Sequence, residues 1–489
     1  MWNSEPINMA SSYPPTTLET SIINDRTLVP SYVALGLSLT LQVAALALLL
    51  LGQLQAGGIL IYAVVVLALF YGIIKKNYLS ALAIFISSYG LSLPFRDSAT
   101  IGHGTYAYAY ILIAFFLIFS RTSKSLTKFL PIGICFFLYW LSWTWGAKPM
   151  PYGLTVRLAG ATAAMVLTYL AVTQVEDLRF LFWALLLGSA LFIPTVFLFQ
   201  SPEERFGVLQ LADNIEAGNP VSYMGHLAPW MIVGFALVVW DTHLKHRKLI
   251  IAGLVILTCV LVYSTSRTNI ALVAIGMMPI MLRGFPKRPA FILILLMVLV
   301  AGSTVIVVRN PMVSHYLFGK LPLGSAQEGQ IVRKGGPDQT LQGLDKYSTG
   351  RIAIMRAGME KFFRSPLAGV GLGNSDIGSG RGQVIHSFWV KLLAESGLLV
   401  TLPLLIILLW QFFHYIWRIN GSLPGLSIGL FLGMAAFGLV AHGLDLLMWP
   451  MYGMALAVAE LRDKEVQVSD YLAPKLGLNR GMEAEGKIT

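Results

Sequence analysis

Residues His386–Trp410 read HSFWVKLLAESGLLVTLPLLIILLW. The run is apolar enough, past its opening residues, to supply the roughly 20 residues that cross a bilayer as a helix. His386 stands where a long polar loop enters that span. Behind it lies a glycine-rich approach, GVGLGNSDIGSGRG at 369–382, and behind that a basic amphipathic segment that begins near Arg351. A titratable group, a set of arginines and a glycine hinge at one membrane face imply chemistry on a phosphate-bearing substrate at that face.

Working outward, the composition is that of a membrane protein. The chain has 489 residues, 56% of them hydrophobic and 12% charged; its mean hydropathy is +0.69. Soluble proteins carry about 25% charged residues. With water absent, only helices or closed barrels span a bilayer, and runs this long and apolar are helical. The fold class is therefore an all-α polytopic membrane protein whose solvent is the lipid bilayer. The net charge of +11 belongs to loops and anion-binding groups and is no sign of nucleic acid. Cys135 and Cys259 both lie inside apolar runs, which excludes a disulfide framework. The polar first thirty residues precede a run long enough to span by itself, so no cleavable signal peptide is expected.

About fourteen spans are expected, near 31–52, 58–74, 78–94, 105–120, 128–146, 154–174, 179–199, 222–240, 248–263, 268–282, 289–308, 390–413, 424–441 and 443–460. Lys75-Lys76, the run from Arg121, HLKHRK from His243, RGFPKR from Arg283 and HYIWR from His414 then fall on one side. The positive-inside rule makes that side the cytoplasm, with both termini there. The expected organisation is a cytoplasmic tail at 1–30, eleven transmembrane helices at 31–308, a periplasmic loop at 309–389, three further helices at 390–460 and a cytoplasmic tail at 461–489.

Between 309 and 385 there are ten Lys and Arg against five Asp and Glu. Long loops escape the positive-inside rule, and an anionic substrate explains the excess. Residues 323–347 read as flexible. From Gly350 to Arg364 the period becomes helical: Ile352, Met355, Met359 and Phe362-Phe363 share one side, Arg356 and Glu360 the other. This predicts an amphipathic helix on the membrane surface, stopped by Pro366.

Arg267, at the outer end of its span in YSTSRTNIALVAI, joins Arg351 and His386 on that face, with Glu395 about two and a half turns deeper than His386 in the same helix. Chemically this suits transfer of a glycan from a polyprenyl diphosphate. Arginines would hold the two phosphates and neutralise the charge that grows as the C1–O bond breaks. Histidine is matched to take the acceptor's proton near neutral pH.

Three ordered blocks, STSRTNIALVAI, STGRIAIMRAGMEKFFRSPLAGVGLGNS and HSFWVKLLAESG, resemble the O-antigen ligase and O-antigen polymerase superfamily over about Tyr263–Leu402. The resemblance implies a C-type glycosyltransferase-like fold and an undecaprenyl-diphosphate-linked glycan donor. It further implies metal-independent inverting transfer without a cofactor, and an active site on the periplasmic side of a bacterial inner membrane. The acceptor it implies is another glycan or lipid A-core. It puts the family's span arginine at Arg267, its loop arginine at Arg351 and its histidine at His386. Many members have Asn after that histidine, where this chain has Ser387.

Arg356 and Arg381 join the donor-binding set, and Glu395, His442 and Asp445 are supporting candidates. Structural readings compete for each. His386 can be an interfacial histidine, Arg267 a snorkelling anchor and Arg351 or Arg356 a headgroup contact. Glu395 and the His442–Asp445 pair can be buried hydrogen-bonding groups. The glycine run is no phosphate loop, because no Lys-Ser/Thr follows it and no strand precedes it. No metal-ligand spacing occurs. The polymerase reading is slightly favoured over ligase, and the rival class is a transporter or flippase of lipid-linked glycans, whose usual internal repeats are missing here.

Overall fold

The computed structural model describes residues 19–92, 95, 103–118, 125–146, 150–199, 210–211, 215–216, 220–241, 244, 246–263, 267–309, 351–375, 385, 387–417, 423–440 and 448–475. Each of the fourteen apolar segments is helical over most of its described length. In chain order the helices are α1 (Glu19–Leu50), α2 (Leu54–Leu69), α3 (Tyr78–Ser92), α4 (His103–Ile118), α5 (Leu130–Leu141), α6 (Tyr152–Ala171), α7 (Val175–Phe199), α8 (Pro220–Trp240), α9 (Arg247–Tyr263), α10 (Arg267–Gly284) and α11 (Pro289–Arg309). They continue with α12 (Arg351–Arg364), α13 (Phe388–Gln411), α14 (Leu426–Val440) and α15 (Met448–Lys475). The strands are two residues each, Gln210–Leu211 paired antiparallel with Ile215–Glu216.

Among the described residues, four helices are long and apolar enough to cross a membrane by length and composition: Leu28–Leu50, Leu54–Ile74, Tyr152–Ala171 and Phe388–Ile416. Shorter apolar helices include Tyr78–Ser92, Leu227–Trp240 and Leu426–Leu439. Large apolar side chains such as Ile59, Leu130, Phe137, Met297 and Phe413 stand exposed. In water this would be an aggregation surface; lipid tails are its natural solvent.

With no hydrophobic drive between helices in lipid, close packing and hydrogen bonds hold the bundle. At the α10–α14 crossing Gly276 meets Gly429, where an added Cβ would lie 2.1 Å from the Gly276 carbonyl oxygen. Buried polar pairs join α1 to α3: Gln42 donates to Ser87 Oγ at 3.1 Å, and Ser31 meets Ser80 Oγ at 2.9 Å.

The two ends of α5 mark two faces of the bundle. Beside its first residue, Lys128 reaches Glu460 of α15 at 2.6 Å, and the Lys128 carbonyl accepts from Gln411 of α13 at 2.7 Å. Tyr169 also donates to Glu460. The far end of α5, through Ser142, Trp145 and Gly146, meets the glycine-rich loop.

One expectation changes. The span at 390–413 is not one continuous helix: α13 breaks at Gly397, whose φ of 61° and ψ of −159° are not helical. α12 stands where the amphipathic helix is expected. It ends at Arg364 before Pro366, as read from the sequence, and Gly358 abuts Ile385 and Val390 of the next segment. Phe363, on the expected apolar stripe, is 70% exposed. The 323–347 segment lies outside the described residues.

Candidate active site

The best-defined polar centre lies where α13 breaks. Ser387 caps the first half of α13 with an extended backbone, its hydroxyl accepting from the Val390 N–H. That hydroxyl also donates to the Gly438 carbonyl of α14 at 3.4 Å. Phe388 is fully buried against Trp449 of α15, which packs edge-on against Phe136 of α5. Trp389 Nε1 donates to the Ala435 carbonyl at 3.3 Å. The start of this half-helix is thus fixed to two other helices, α14 and α15.

At its end, the open carbonyls would be orphaned by the break. Loop 366–375 supplies the missing partners. Val370 and Gly371 N–H groups donate to the Ala394 and Glu395 carbonyls, both at 2.8 Å. On the far side of the break, Leu398 and Leu399 N–H groups donate to the Pro366 and Leu367 carbonyls at 2.8 and 3.0 Å. Both glycines at this crossing are required. Gly397 occupies a region of φ,ψ space essentially reserved for glycine, and its Cβ would lie 2.3 Å from the Leu367 oxygen. At Gly369, with φ +68°, a Cβ would lie 2.4 Å from the Glu395 carbonyl carbon.

Glu395 is completely buried and engaged at both oxygens. Tyr139 donates to Oε2 and Ser375 to Oε1, each at 2.5 Å. Lys391, one turn earlier, places Nζ 3.9 Å from Oε1. With both oxygens held and no exposure, this carboxylate is an anchor and is not presented to an acceptor hydroxyl. It lies near the end of the first half of the broken helix, before Gly397 and beside the loop. The loop is tied to α5 as well: Leu372 N–H donates to Ser142 Oγ at 3.0 Å and Trp145 Nε1 to the Ala368 carbonyl at 3.0 Å.

Of the other candidates, Arg356 is exposed on α12 and pairs with Glu360 at 3.5 Å, outside the buried cluster. Arg267 and Arg351 are the first residues of α10 and α12; their side chains lie outside the description. His386, Arg381, His442 and Asp445 lie outside the described residues. Ile385 and Ser387, on either side of His386 in sequence, are fully buried. Among the described residues no group of three His, Cys, Asp or Glu could hold a metal ion.

Tyr139, Ser375 and Lys391 are the participants that sequence reasoning missed. Tyr139 comes from a helix some 250 positions away and has no motif of its own. The one available signal was Lys391, a lysine four residues before Glu395 in an otherwise apolar run.

No curated protein matches the chain. Residues 252–405 match the family model described as O-antigen ligase, a stretch that runs from within α9 past the glycine loop and the break in α13. This O-antigen ligase domain at residues 252–405, with helices long and apolar enough to cross a membrane, supports a membrane protein similar to the O-antigen ligase and polymerase superfamily, and with it glycan transfer of the glycosyltransferase type.

Proposed function

We propose that this protein transfers a glycan from an undecaprenyl-diphosphate-linked donor to an acceptor hydroxyl at the periplasmic face of a bacterial inner membrane. The process served is O-antigen or exopolysaccharide assembly, with polymerisation favoured over ligation to lipid A-core. The observation that carries the reading is that one O-antigen ligase domain contains Arg267, Arg351, His386 and the anchored half-helix together.

In this mechanism Arg267, Arg351, Arg356 and Arg381 hold the donor's diphosphate. Arginine suits the task because its planar fork gives paired donors and keeps its charge. His386 takes the proton from the acceptor hydroxyl as that oxygen attacks C1 of the sugar. The C1–O bond to the diphosphate breaks on the opposite face, so configuration inverts, and the bonding pair leaves with the diphosphate. The arginines bind more strongly as that charge grows, which lowers the barrier. The lipid-linked diphosphate carries the activation, so neither a nucleotide nor a metal enters. Glu395 keeps the half-helix that follows His386 in place, and His442 and Asp445 are assigned a supporting role.

The test is glycan output in cells carrying His386→Ala or Arg267→Ala. Loss of transfer with normal membrane insertion is expected of both; retained activity in both would remove the catalytic assignment.

A further inference from the structure

α4 and α6 pack against each other along their lengths, whereas α5 packs on α13 and touches α6 only briefly. The gap left between α5 and the α4–α6 pair is a lateral groove of about 550 Å³. Gly133, Phe137 and Trp140 of α5 face Thr155 and Ala159 of α6 across it, with Ile111 of α4 alongside. Among the described residues no charged side chain lines it. The two threonine hydroxyls turn back onto their own helix, Thr155 to the Pro151 carbonyl at 3.3 Å and Thr162 to that of Leu158 at 2.9 Å. Among the described residues Trp140 Nε1 has no hydrogen-bond partner.

Gly133 is informative here. Glycines at helix contacts in membranes let backbones approach, but no atom lies within 4 Å of where a Gly133 Cβ would stand. This glycine leaves space open. On α6 the lining runs from Thr155 to Val166, about 16 Å at 1.5 Å per residue, or about half of a 30 Å hydrocarbon core.

We infer that this groove seats the head-proximal part of the polyprenyl chain of the lipid-linked donor, an assignment that rests on the glycan-transfer reading above. Its uncharged lining suits hydrocarbon and gives a headgroup nothing to bind. What selects the donor over bulk phospholipid is continuity with the site through α5. Trp140 lines the groove, while its neighbour Tyr139 binds Glu395. About half a turn and one and a half turns further along, Ser142 and Trp145 bond the glycine-rich loop. A chain lying in the groove therefore delivers its polar end to the loop that borders the half-helix.

The experiment uses the full-length protein in nanodiscs and two donors, the same glycan on undecaprenyl diphosphate and on a two-isoprene diphosphate. Gly133→Phe and Ala159→Phe, singly and together, fill the groove; Ala159 is exposed and Gly133 faces open space, so neither disturbs packing. Gly36→Phe on α1, also in open space, is the control. The expected result is a KM for the long-chain donor raised at least about tenfold (about 1.4 kcal/mol) in the double variant. Its kcat stays within about twofold, the preference over the short-chain donor shrinks, and the control is unchanged. An unchanged long-chain KM in the double variant, with the melting temperature preserved, would overturn the assignment and leave the groove to bulk lipid. A wild type that turns over neither donor would overturn the transferase reading and the groove assignment with it.

Discussion

Lys391 and Glu395 form the least expected contact in this protein, and a double-mutant cycle measures it. Their side chains are 4% and 0% exposed, with Nζ 3.9 Å from Oε1. At an effective dielectric of about 20, two unit charges at that separation interact by about 4 kcal/mol. Removing one partner of a buried pair typically costs about 3–5 kcal/mol, because the other is left uncompensated. Lys391→Met strands a carboxylate that keeps its two hydroxyl donors, Tyr139 and Ser375. Glu395→Gln strands an ammonium group in a closed interior. The double variant removes both charges and is expected to cost less than the two singles summed, with a coupling energy of about 3 kcal/mol or more. Reversible unfolding in mixed micelles, run on all four proteins, reads this directly. Additivity to within about 0.5 kcal/mol would mean that the two groups do not interact, and that hydroxyl bonds alone anchor the half-helix.

Three further outcomes follow from the same geometry. Gly397→Ala combines about 1–3 kcal/mol of backbone strain with a Cβ 2.3 Å from the Leu367 oxygen, so its folded yield should collapse while Gly36→Ala, in open space, behaves as wild type in size-exclusion profiles. Arg356→Ala removes an exposed guanidinium; its melting temperature should stay unchanged, while loss of one phosphate contact raises the donor KM about tenfold. With His386 as the base, kcat/KM should fall as pH drops through about 6.5, where a histidine gains its proton. A flat profile from pH 5 to 8 would remove that role.

Much of this architecture is legible in the sequence because lipid imposes one rule on every segment. A run of apolar residues must close its own hydrogen bonds, so the fourteen segments read as helices and are helices over most of their described length. The stop at Pro366 and the helix from Arg351 are equally local facts. What the sequence hides is tertiary. Gly397 sits in an apolar run with no flanking proline and reads as an ordinary interior glycine. Only the neighbouring loop, by bonding Ala394, Glu395, Leu398 and Leu399, makes a break there stable. Tyr139 is likewise one aromatic among many until α5 is seen to lie along α13. The groove beside α5 is a gap between helices, and only Gly133, with open space where its side chain would be, carries a trace of it in the chain.

The central claim is that this protein moves a glycan off a lipid-linked diphosphate. Purified protein, with chelator present, should be given undecaprenyl-diphosphate-linked glycan, alone and then with lipid A-core. Chain lengthening on the donor alone is the result predicted for polymerase action, and product only with the second acceptor is that of a ligase. Neither product, together with passage of the lipid-linked glycan across liposome bilayers, would contradict the account and make the protein a transporter.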